Sequence, residues 1–206
     1  MKKIILAVLV LFAITSTLFC QEEVESVQNE SLQTENNVFR IGAAFPVQSA
    51  VGDLNQFAGL HLGPGVQGEY DLNISLPDYL KLGVSAKFMM NFGFLKDDIL
   101  LSMWNMQLAP GFYARFVLLD GNFIIQPELS YGLQLNFLKK NDEYNNKVDN
   151  VYLDQIIEFA VGFRYVPQNL LDGRLEFGIT PFYALCPEAG YIAQYAGTDI
   201  FVFYRL

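Results

Sequence analysis

The side chains in this chain that could carry out chemistry are few, and they are scattered. His61 is the only histidine, and it falls in a long predicted loop over residues 46–64. Catalysis by a serine nucleophile would require this imidazole beside a serine and a carboxylate, and no local motif places such partners. We therefore expect His61 to be a solvated loop residue, and we expect no catalytic residues.

Metal and cofactor chemistry has little support. The two cysteines are Cys20 and Cys186, and one thiolate remains if Cys20 is removed, so neither a disulfide nor a cysteine-based metal site is expected. The acidic segments at residues 97–98 and 141–143 could touch a cation, but acidic loops are usually only solvated. No Walker loop or dinucleotide fingerprint occurs. We expect no metal and no cofactor.

The charge and composition exclude some classes of function. The formal net charge is −9 at pH 7, and an acidic chain is repelled by phosphate backbones, so we expect no nucleic-acid partner. Hydrophobic residues make up 52% of the chain and charged residues only 17%. Soluble domains usually carry about 25% charged residues. This chain therefore has too little charge to cover an ordinary water-facing surface.

The first 37 residues are interpreted as an export signal and a linker. Lys2 and Lys3 precede an apolar stretch over residues 4–19, and polar residues follow Cys20, which is the layout of a secretory signal peptide over residues 1–20. Two alternatives stay open: lipidation of Cys20, which the bulky Phe19 disfavours, and an uncleaved membrane anchor, for which the stretch is short. Residues 21–37 contain five glutamates and no basic residue, and they indicate a flexible acidic linker.

From residue 38 onward, apolar and polar residues alternate with a period of two, which is the pattern of β-strands. Eight such segments are predicted, at residues 38–45, 65–72, 79–92, 102–117, 123–137, 155–165, 174–184 and 199–206. Beyond residue 20 no apolar stretch approaches the length of a membrane-spanning helix, so only a closed barrel could cross a membrane. The predicted fold class is all-β: an eight-stranded antiparallel up-and-down transmembrane β-barrel over residues 38–206, with short turns at one end and longer loops at the other.

The two faces of the predicted strands differ, and this difference indicates which one points outward. One face is crowded with Phe, Tyr, Leu and Ile, too bulky for the lumen of eight strands, whereas the other mixes glycines with charges of both signs. We expect an interior charge network of Glu69, Lys81, Lys87, Arg115, Glu128, Glu158, Arg164, Arg174 and Glu176. Because buried charges must pair, a sealed lumen is favoured over a water-filled path. Pro110, Pro127 and Pro181 lie on the apolar face and are predicted to be bulges or strand ends near the rim.

These features together resemble the small outer-membrane β-barrel proteins of the OmpA-barrel, OmpX and OmpW kind. The final strand, Asp199–Leu206, alternates to the chain terminus as in that family, although Leu206 stands where the family usually has an aromatic residue. Residues 108–116 and 127–132 also look like segments of the "outer membrane protein beta-barrel domain" families. The resemblance covers residues 38–206. It implies a location in the outer membrane, with membrane lipid and the barrel-assembly machinery as partners.

Three functions follow as expectations. The first is a structural or surface-exposed membrane protein that displays its loops to a partner the sequence does not identify, and that is not an enzyme. The second is a small channel or hydrophobic-solute carrier of the OmpW type, suggested by the long third to fifth segments. The third is a membrane-embedded lipid-modifying enzyme, which only His61 supports.

Overall fold

The computed structural model describes residues 38–52, 58–95, 100–141, 147–188 and 191–206. The predicted signal peptide over residues 1–20 and the predicted linker over residues 21–37 lie outside these ranges. Within the ranges, no helix combines the length and the apolar character that crossing a membrane would require.

Nearly all of the described chain is β-strand, because alternating residues with many β-branched and aromatic side chains suit a pleated sheet with two different faces. The strands are β1 (Phe39–Val51), β2 (Ala58–Leu62), β3 (Gly65–Asp71), β4 (Leu80–Leu95), β5 (Leu100–Leu118), β6 (Phe123–Asn141), β7 (Lys147–Tyr165), β8 (Leu175–Glu188) and β9 (Tyr191–Arg205). Every pairing between them is antiparallel. We call the end at which β1 begins and β9 ends the lower end.

Strands β2 and β3 occupy a single position in the wall. Both lie between β1 and β4, and the pairs Ala44–Gly65 and Val47–Leu62 follow one unbroken register along β1. The ladder is interrupted only at Gly63 and Pro64, where proline has no N–H to donate. A Cβ atom on Gly63 would lie 1.6 Å from the Met90 carbonyl oxygen, so only glycine permits this close approach. The wall therefore has the eight positions that the sequence predicts.

The wall closes into a barrel, because β1 pairs with β9 over twelve residues. A path along the cross-strand pairs leaves β1 at Arg40 and returns to it at Ala50. It passes through Glu69, Ser85, Gly111, Ser130, Glu158, Ala184 and Tyr195. The offset from residue 40 to residue 50 is ten residues, which for eight strands corresponds to a strand tilt of about 40° from the barrel axis. The predicted fold of an eight-stranded antiparallel up-and-down barrel is confirmed.

The upper ends of the strands differ from the prediction. The expected long loops at residues 46–64, 93–101, 138–154 and 185–198 are mostly strand: β6 continues to Asn141, β7 begins at Lys147 and β9 begins at Tyr191. The sequence alternates less clearly in these segments because inward positions such as Ala50, Cys186 and Ala193 are themselves apolar. Near the upper end of β7 the burial pattern also stops alternating, since residues 151–153 are all exposed. The acidic positions 97–98 and 142–143 lie outside the described ranges.

The prediction for the prolines is wrong. Pro110, Pro127 and Pro181 lie well inside β5, β6 and β8. Each proline pairs in regular register with the strand on one side: Pro110 with Ala86, Pro127 with Val161 and Pro181 with Thr198. On the other side of each proline, two consecutive cross-strand pairs are missing, and the pairing then resumes in the same register. The wall therefore tolerates a missing N–H without a bulge, since flanking pairs hold the strands together.

One turn at the lower end shows how local chemistry closes the hairpins. Leu119, Asp120 and Gly121 all have positive φ, at 51°, 53° and 88°, and they connect β5 to β6. Consecutive residues with positive φ match the right-handed twist of the paired strands. The turn that the sequence predicts at Asp120–Asn122 is therefore confirmed.

Candidate functional site

The interior and the outer surface of the barrel have opposite polarity. Along β1 the burial alternates residue by residue, with Phe39, Ile41 and Phe45 exposed and Arg40 buried between the first two. The buried polar side chains include charged groups from all eight wall positions. The face that the sequence assigns to the interior is therefore inside, and the greasy face is outside.

The outward face forms a continuous apolar belt. Exposed fractions reach 70% at Phe112, 53% at Phe159 and 51% at Ile200, on three different sides of the wall. The outward residues of β5 from Trp104 to Phe116 and of β6 from Ile125 to Phe137 include no charged side chain. Each of these two segments advances by twelve residues. At about 3.3 Å per residue and about 40° of strand tilt, the belt is therefore about 30 Å tall along the barrel axis.

The lower half of the lumen contains three arginines and three carboxylates, which we call the lower ion-pair cluster. Its members are Arg40, Glu69, Asp71, Arg115, Arg164 and Glu176. Glu176 lies at its centre and accepts hydrogen bonds from all three guanidinium groups, at 2.9 Å from Arg40, 2.5 Å from Arg115 and 3.1 Å from Arg164.

The remaining carboxylates of the lower ion-pair cluster are held by bidentate contacts. Arg40 donates from Nη1 and Nη2 to the two Asp71 oxygens at 2.8 and 2.6 Å, and Arg164 donates to the two Glu69 oxygens at 2.8 and 2.5 Å. The Tyr113 hydroxyl donates to Asp71 at 2.7 Å. Because all six charged side chains are almost fully buried, the cluster fills the cross-section of the lumen at this level.

A second charged group lies above the first and is not balanced. This upper carboxylate cluster consists of Lys87, Glu128, Glu158 and Asp199. The Lys87 ammonium contacts Glu158 and lies 3.8 Å from Asp199 Oδ2. Glu128 accepts from the Ser85 hydroxyl at 2.6 Å and from Gln67 at 3.3 Å. One cation therefore serves three buried carboxylates.

The position of His61 corrects the sequence prediction of a solvated loop residue. His61 lies in β2 and is fully buried. Its Nε2 lies 3.5 Å from the Met103 sulfur, and its ring packs edge-on against Tyr195 with 6.0 Å between centroids. The side chain is buried because β2 prolongs the wall position of β3, so that His61 points into the lumen.

The structure brings together seven of the nine charges that the sequence assigns to the interior. Glu69, Lys87, Arg115, Glu128, Glu158, Arg164 and Glu176 are buried in the two clusters. Lys81 is only half-buried at the lower rim. Arg174 is exposed in the connection before β8, where it donates to the Tyr204 hydroxyl at 3.5 Å, so its assignment to the interior is wrong. Its strand begins one residue later than predicted.

The predicted charge network omits three members of the clusters, namely Arg40, Asp71 and Asp199, although the pattern places Asp71 and Asp199 on the inward face. Each lies on the inward parity of its strand, and Arg40 stands between the exposed Phe39 and Ile41. That alternation was the available signal. Among the described residues, no three His, Cys, Asp or Glu side chains come close enough together to hold a metal ion.

Comparisons with known proteins show likeness to small outer-membrane barrels. No family model matches the chain, and no curated protein matches it. Structures of similar fold include Neisserial surface protein A, with a TM-score of 0.49, 10% identity, and coverage of 82% of this chain and 97% of the other. They also include Ail, the attachment invasion locus protein of Yersinia pestis, with a TM-score of 0.48, 12% identity, and coverage of 82% of this chain and 97% of the other. The outer membrane enzyme PagL has a TM-score of 0.42 and 10% identity, with coverage of 81% of this chain and 99% of the other.

Proposed function

We propose that this protein is an integral outer-membrane β-barrel with a structural or surface-exposed role, and that it is not an enzyme. The observation that carries the proposal is the uncharged apolar belt around a lumen filled with paired charges. In aqueous solution the exposure of this belt would be unfavourable, since soluble proteins rarely show apolar patches above a few hundred Å². A bilayer core is about 30 Å thick, which matches the height of the belt.

The strands are longer than a membrane crossing requires, and this determines what the protein can present outside. A tilted strand crosses a bilayer in about 9–11 residues, whereas β5, β6 and β7 each have 19. The excess lies at the upper end, so the upper wall rises above the lipid. A partner outside the cell would therefore meet strand ends such as the exposed Val151–Leu153 segment.

The lower ion-pair cluster opposes the channel and solute-carrier alternatives. Its six side chains are bound to one another across the lumen, and opening a path would separate buried charges at a cost of several kcal/mol each. A lateral exit is opposed by Gly132, where a Cβ atom would lie 2.1 Å from the Leu108 carbonyl oxygen in the facing strand. The wall is therefore tightly closed beside Pro110, where the ladder skips two pairs.

Enzyme activity has no support from the one histidine. The contacts described for His61 are the Met103 thioether, the Tyr195 ring and the backbone of Gly59. None of these is the serine or carboxylate that a hydrolytic mechanism needs. The partners that we propose are outer-membrane lipid and, during biogenesis, the barrel-assembly machinery, which would read the final strand β9 (Tyr191–Arg205) and the exposed Leu206 that follows it.

Membrane insertion can be tested with a matched pair of substitutions. Phe112 and Leu119 are 70% and 74% exposed, but Phe112 lies in the belt and Leu119 in a turn at the lower end. In bilayers we expect Phe112→Arg to lower the free energy of unfolding by about 2–4 kcal/mol and Leu119→Arg by about 0–1 kcal/mol. Equal effects in both variants would contradict the proposal.

A simpler measurement tests the barrel in its membrane setting. Intact protein extracted in detergent should migrate faster on a gel before boiling than after it, because a closed barrel stays compact. It should remain with the membrane fraction after alkaline washing. A chain that partitions into the aqueous phase without detergent would refute the membrane assignment. Stable channels in planar bilayers would refute the sealed lumen alone.

A further inference from the structure

The ribbon formed by β6 and β7 rises past its neighbour on one side. β7 pairs with β6 along all 19 of its residues without a register shift. Towards β8 the cross-strand pairs end at Ile157–Leu185, and β8 itself ends at Glu188, which stands opposite Asp154 in the same register. Residues 147–153 of β7 therefore continue beyond the end of β8, and no described strand lies beside them on that side.

The backbone of this segment directs hydrogen-bonding groups to the uncovered side. The Val166 N–H donates to the Asn122 carbonyl oxygen at 2.9 Å, which extends the register of β6 and β7 by one pair. In an antiparallel sheet the N–H and C=O of one residue point to the same neighbouring strand, and those of the next residue point to the other. Even-numbered residues of β7 therefore face β6. Odd-numbered residues, such as Val151 and Leu153, present their N–H and C=O to the side that β8 leaves uncovered.

Pro187 explains why the ladder between β7 and β8 stops where it does. In the register of the two strands it stands opposite Gln155, which is one of the odd-numbered positions that face β8. Because proline has no N–H, it cannot donate to Gln155. The pairing is also interrupted lower down, at Pro181 opposite Val161, but there it resumes. Above Pro187 it has no room to resume, since β8 ends one residue later.

The uncovered edge lacks the features that usually protect one. An open strand edge is a template for a further strand, and proteins normally blunt it with a proline, a charge, a bulge or a covering segment. Residues 150–153 contain no proline and no charge, and their register with β6 has no bulge. Open sheet edges do not occur within the hydrocarbon of a membrane. The edge therefore belongs to the part of the wall above the lipid, a location that rests on the proposed function.

The side chains along this edge are apolar and exposed on both faces of the ribbon. Val151 and Leu153 point outward and are each 58% exposed, and Tyr152 points to the opposite face and is 46% exposed. When a peptide adds to a sheet edge, main-chain hydrogen bonds supply affinity and alternate side chains supply specificity. The edge therefore suits an extended segment that has apolar side chains at these positions and no proline.

Neither the N-terminal part of this chain nor a second copy in the same membrane suits the edge. Residues 1–37 precede β1, which begins at the lower end, on the other side of the membrane. Two barrels side by side in one membrane have parallel axes, and strands tilted by about 40° on their facing walls cross at about 80°, too steeply to form a ladder. The matching occupant is a segment of another protein.

We propose that the free edge of β7 over residues 147–153 binds an extended segment of an external protein by β-strand addition. The added strand runs antiparallel to β7 and continues the position of β8. Odd-numbered residues of β7 supply the backbone hydrogen bonds, and Val151, Tyr152 and Leu153 contact apolar side chains of the segment. The inference rests on the proposed surface-exposed role, for which it names the site and the kind of partner.

A synthetic peptide with the sequence of residues 133–141 is the probe, because in β6 this sequence already pairs antiparallel with the upper part of β7. The peptide carries a fluorophore and is titrated with the full chain folded in detergent micelles, and fluorescence anisotropy measures its affinity. Empty micelles supply the blank. A control peptide that is N-methylated at each internal residue keeps every side chain but has no N–H to donate. We expect it to bind about tenfold more weakly or worse, because several backbone hydrogen bonds are lost.

Two substitutions at one position separate the backbone from the side chain. Val151 directs its N–H away from β6, so Val151→Pro removes a donor of the free edge and leaves the ladder with β6 in place. Val151→Thr keeps both the donor and the β-branched shape. We expect the proline variant to lose about tenfold in affinity for the peptide and the threonine variant to stay within about twofold. If Val151→Pro does not give the fast-migrating form on a gel, Leu153→Pro replaces it.

Amide hydrogen exchange locates the binding site residue by residue. Without peptide, the N–H groups of Val151 and Leu153 should exchange faster than that of Tyr152, which points to β6. Saturating peptide should slow exchange at Val151 and Leu153 and leave Tyr152 unchanged. Equal affinity of the methylated peptide or of the proline variant would overturn the proposal, and so would unchanged exchange at Val151. Slow exchange at Val151 that depends on protein concentration without peptide would assign the edge to a second copy and overturn it as well.

The peptide experiment can fail without the proposed function failing. It requires only the folded barrel and no lipid, so a negative result would leave the fast-migrating form and the contrast between Phe112→Arg and Leu119→Arg intact. A chain that partitions into the aqueous phase would instead refute the membrane assignment, whatever the peptide does.

Discussion

Replacing Arg164 with methionine tests whether the lower ion-pair cluster holds the barrel together. Arg164 is among the largest fully buried side chains, and it donates three hydrogen bonds to Glu69 and Glu176 at 2.5–3.1 Å. Its guanidinium also packs over the rings of Phe201 and Phe203 at 4.9 and 4.6 Å. The substitution keeps an unbranched side chain and removes the charge, the donors and the guanidinium that packs over the two rings.

The size of the effect follows from what remains around each carboxylate. Glu176 keeps Arg40 and Arg115, whereas Glu69 keeps the Gln126 amide at 2.9 Å, the Gln67 amide at 3.2 Å and a distant Arg115 at 3.9 Å. Glu69 is therefore left as a buried charge without a close cation. Breaking a buried ion pair in this way lowers the free energy of unfolding by about 3–5 kcal/mol. The whole free energy of unfolding of a typical domain is about 5–15 kcal/mol, so this is a large part of it.

The assay is equilibrium unfolding in urea in lipid vesicles, followed by the fluorescence of Trp104, the single tryptophan. Trp104 stacks on Phe137 on the outer face with 3.8 Å between ring centroids. Because Trp104 does not contact the lower ion-pair cluster, its emission reports unfolding of the barrel and not a local change in that cluster. The matched control is Arg174→Met, which removes an arginine that the sequence also assigned to the interior but which is exposed. We expect no measurable change in the urea midpoint for this control.

A double variant tests whether the unpaired charge of Glu69 causes the loss of stability. Adding Glu69→Gln to Arg164→Met removes the unpaired charge and keeps an amide that hydrogen-bonds Gln126, so it should recover about 2 kcal/mol of the loss. Two results would refute the argument. One is a loss in Arg164→Met no larger than in Arg174→Met. The other is a double variant whose loss equals the sum of the two single variants.

Three further predictions test the packing of the wall and lumen. Tyr113→Phe should lower the free energy of unfolding by about 1–3 kcal/mol, because it removes the buried hydroxyl donor to Asp71, and the same urea titration measures it. Gly63→Ala should prevent folding or lower the yield of the fast-migrating form severalfold, whereas Gly68→Ala, where a Cβ would meet the Phe39 ring at 3.7 Å, should fold normally. Phe137→Ala should shift the Trp104 emission maximum, since the stacked ring is removed, while leaving the barrel closed on a gel.

The sequence by itself determined the strands, their number and the polarity of their two faces. Alternation is a local property: each side chain points opposite to its neighbours, so Phe112 and Tyr113 must lie on different faces wherever the strand goes. The bulk of one face and the glycines of the other then decided which face points outward. For the same reason seven of the nine proposed interior charges are inside.

Only the tertiary structure decided which charges meet and at what level. Arg40 and Glu176 are 136 residues apart in sequence, and they pair because the wall closes with an offset of ten residues between Arg40 and Ala50. Neither the closure of the barrel nor the ten-residue offset can be deduced from the sequence of any single strand. The same closure separates a balanced lower ion-pair cluster from an acidic upper lumen. The burial of His61 likewise depends on the continuation of β3 through Gly63 and Pro64, a sequence that locally resembles a loop.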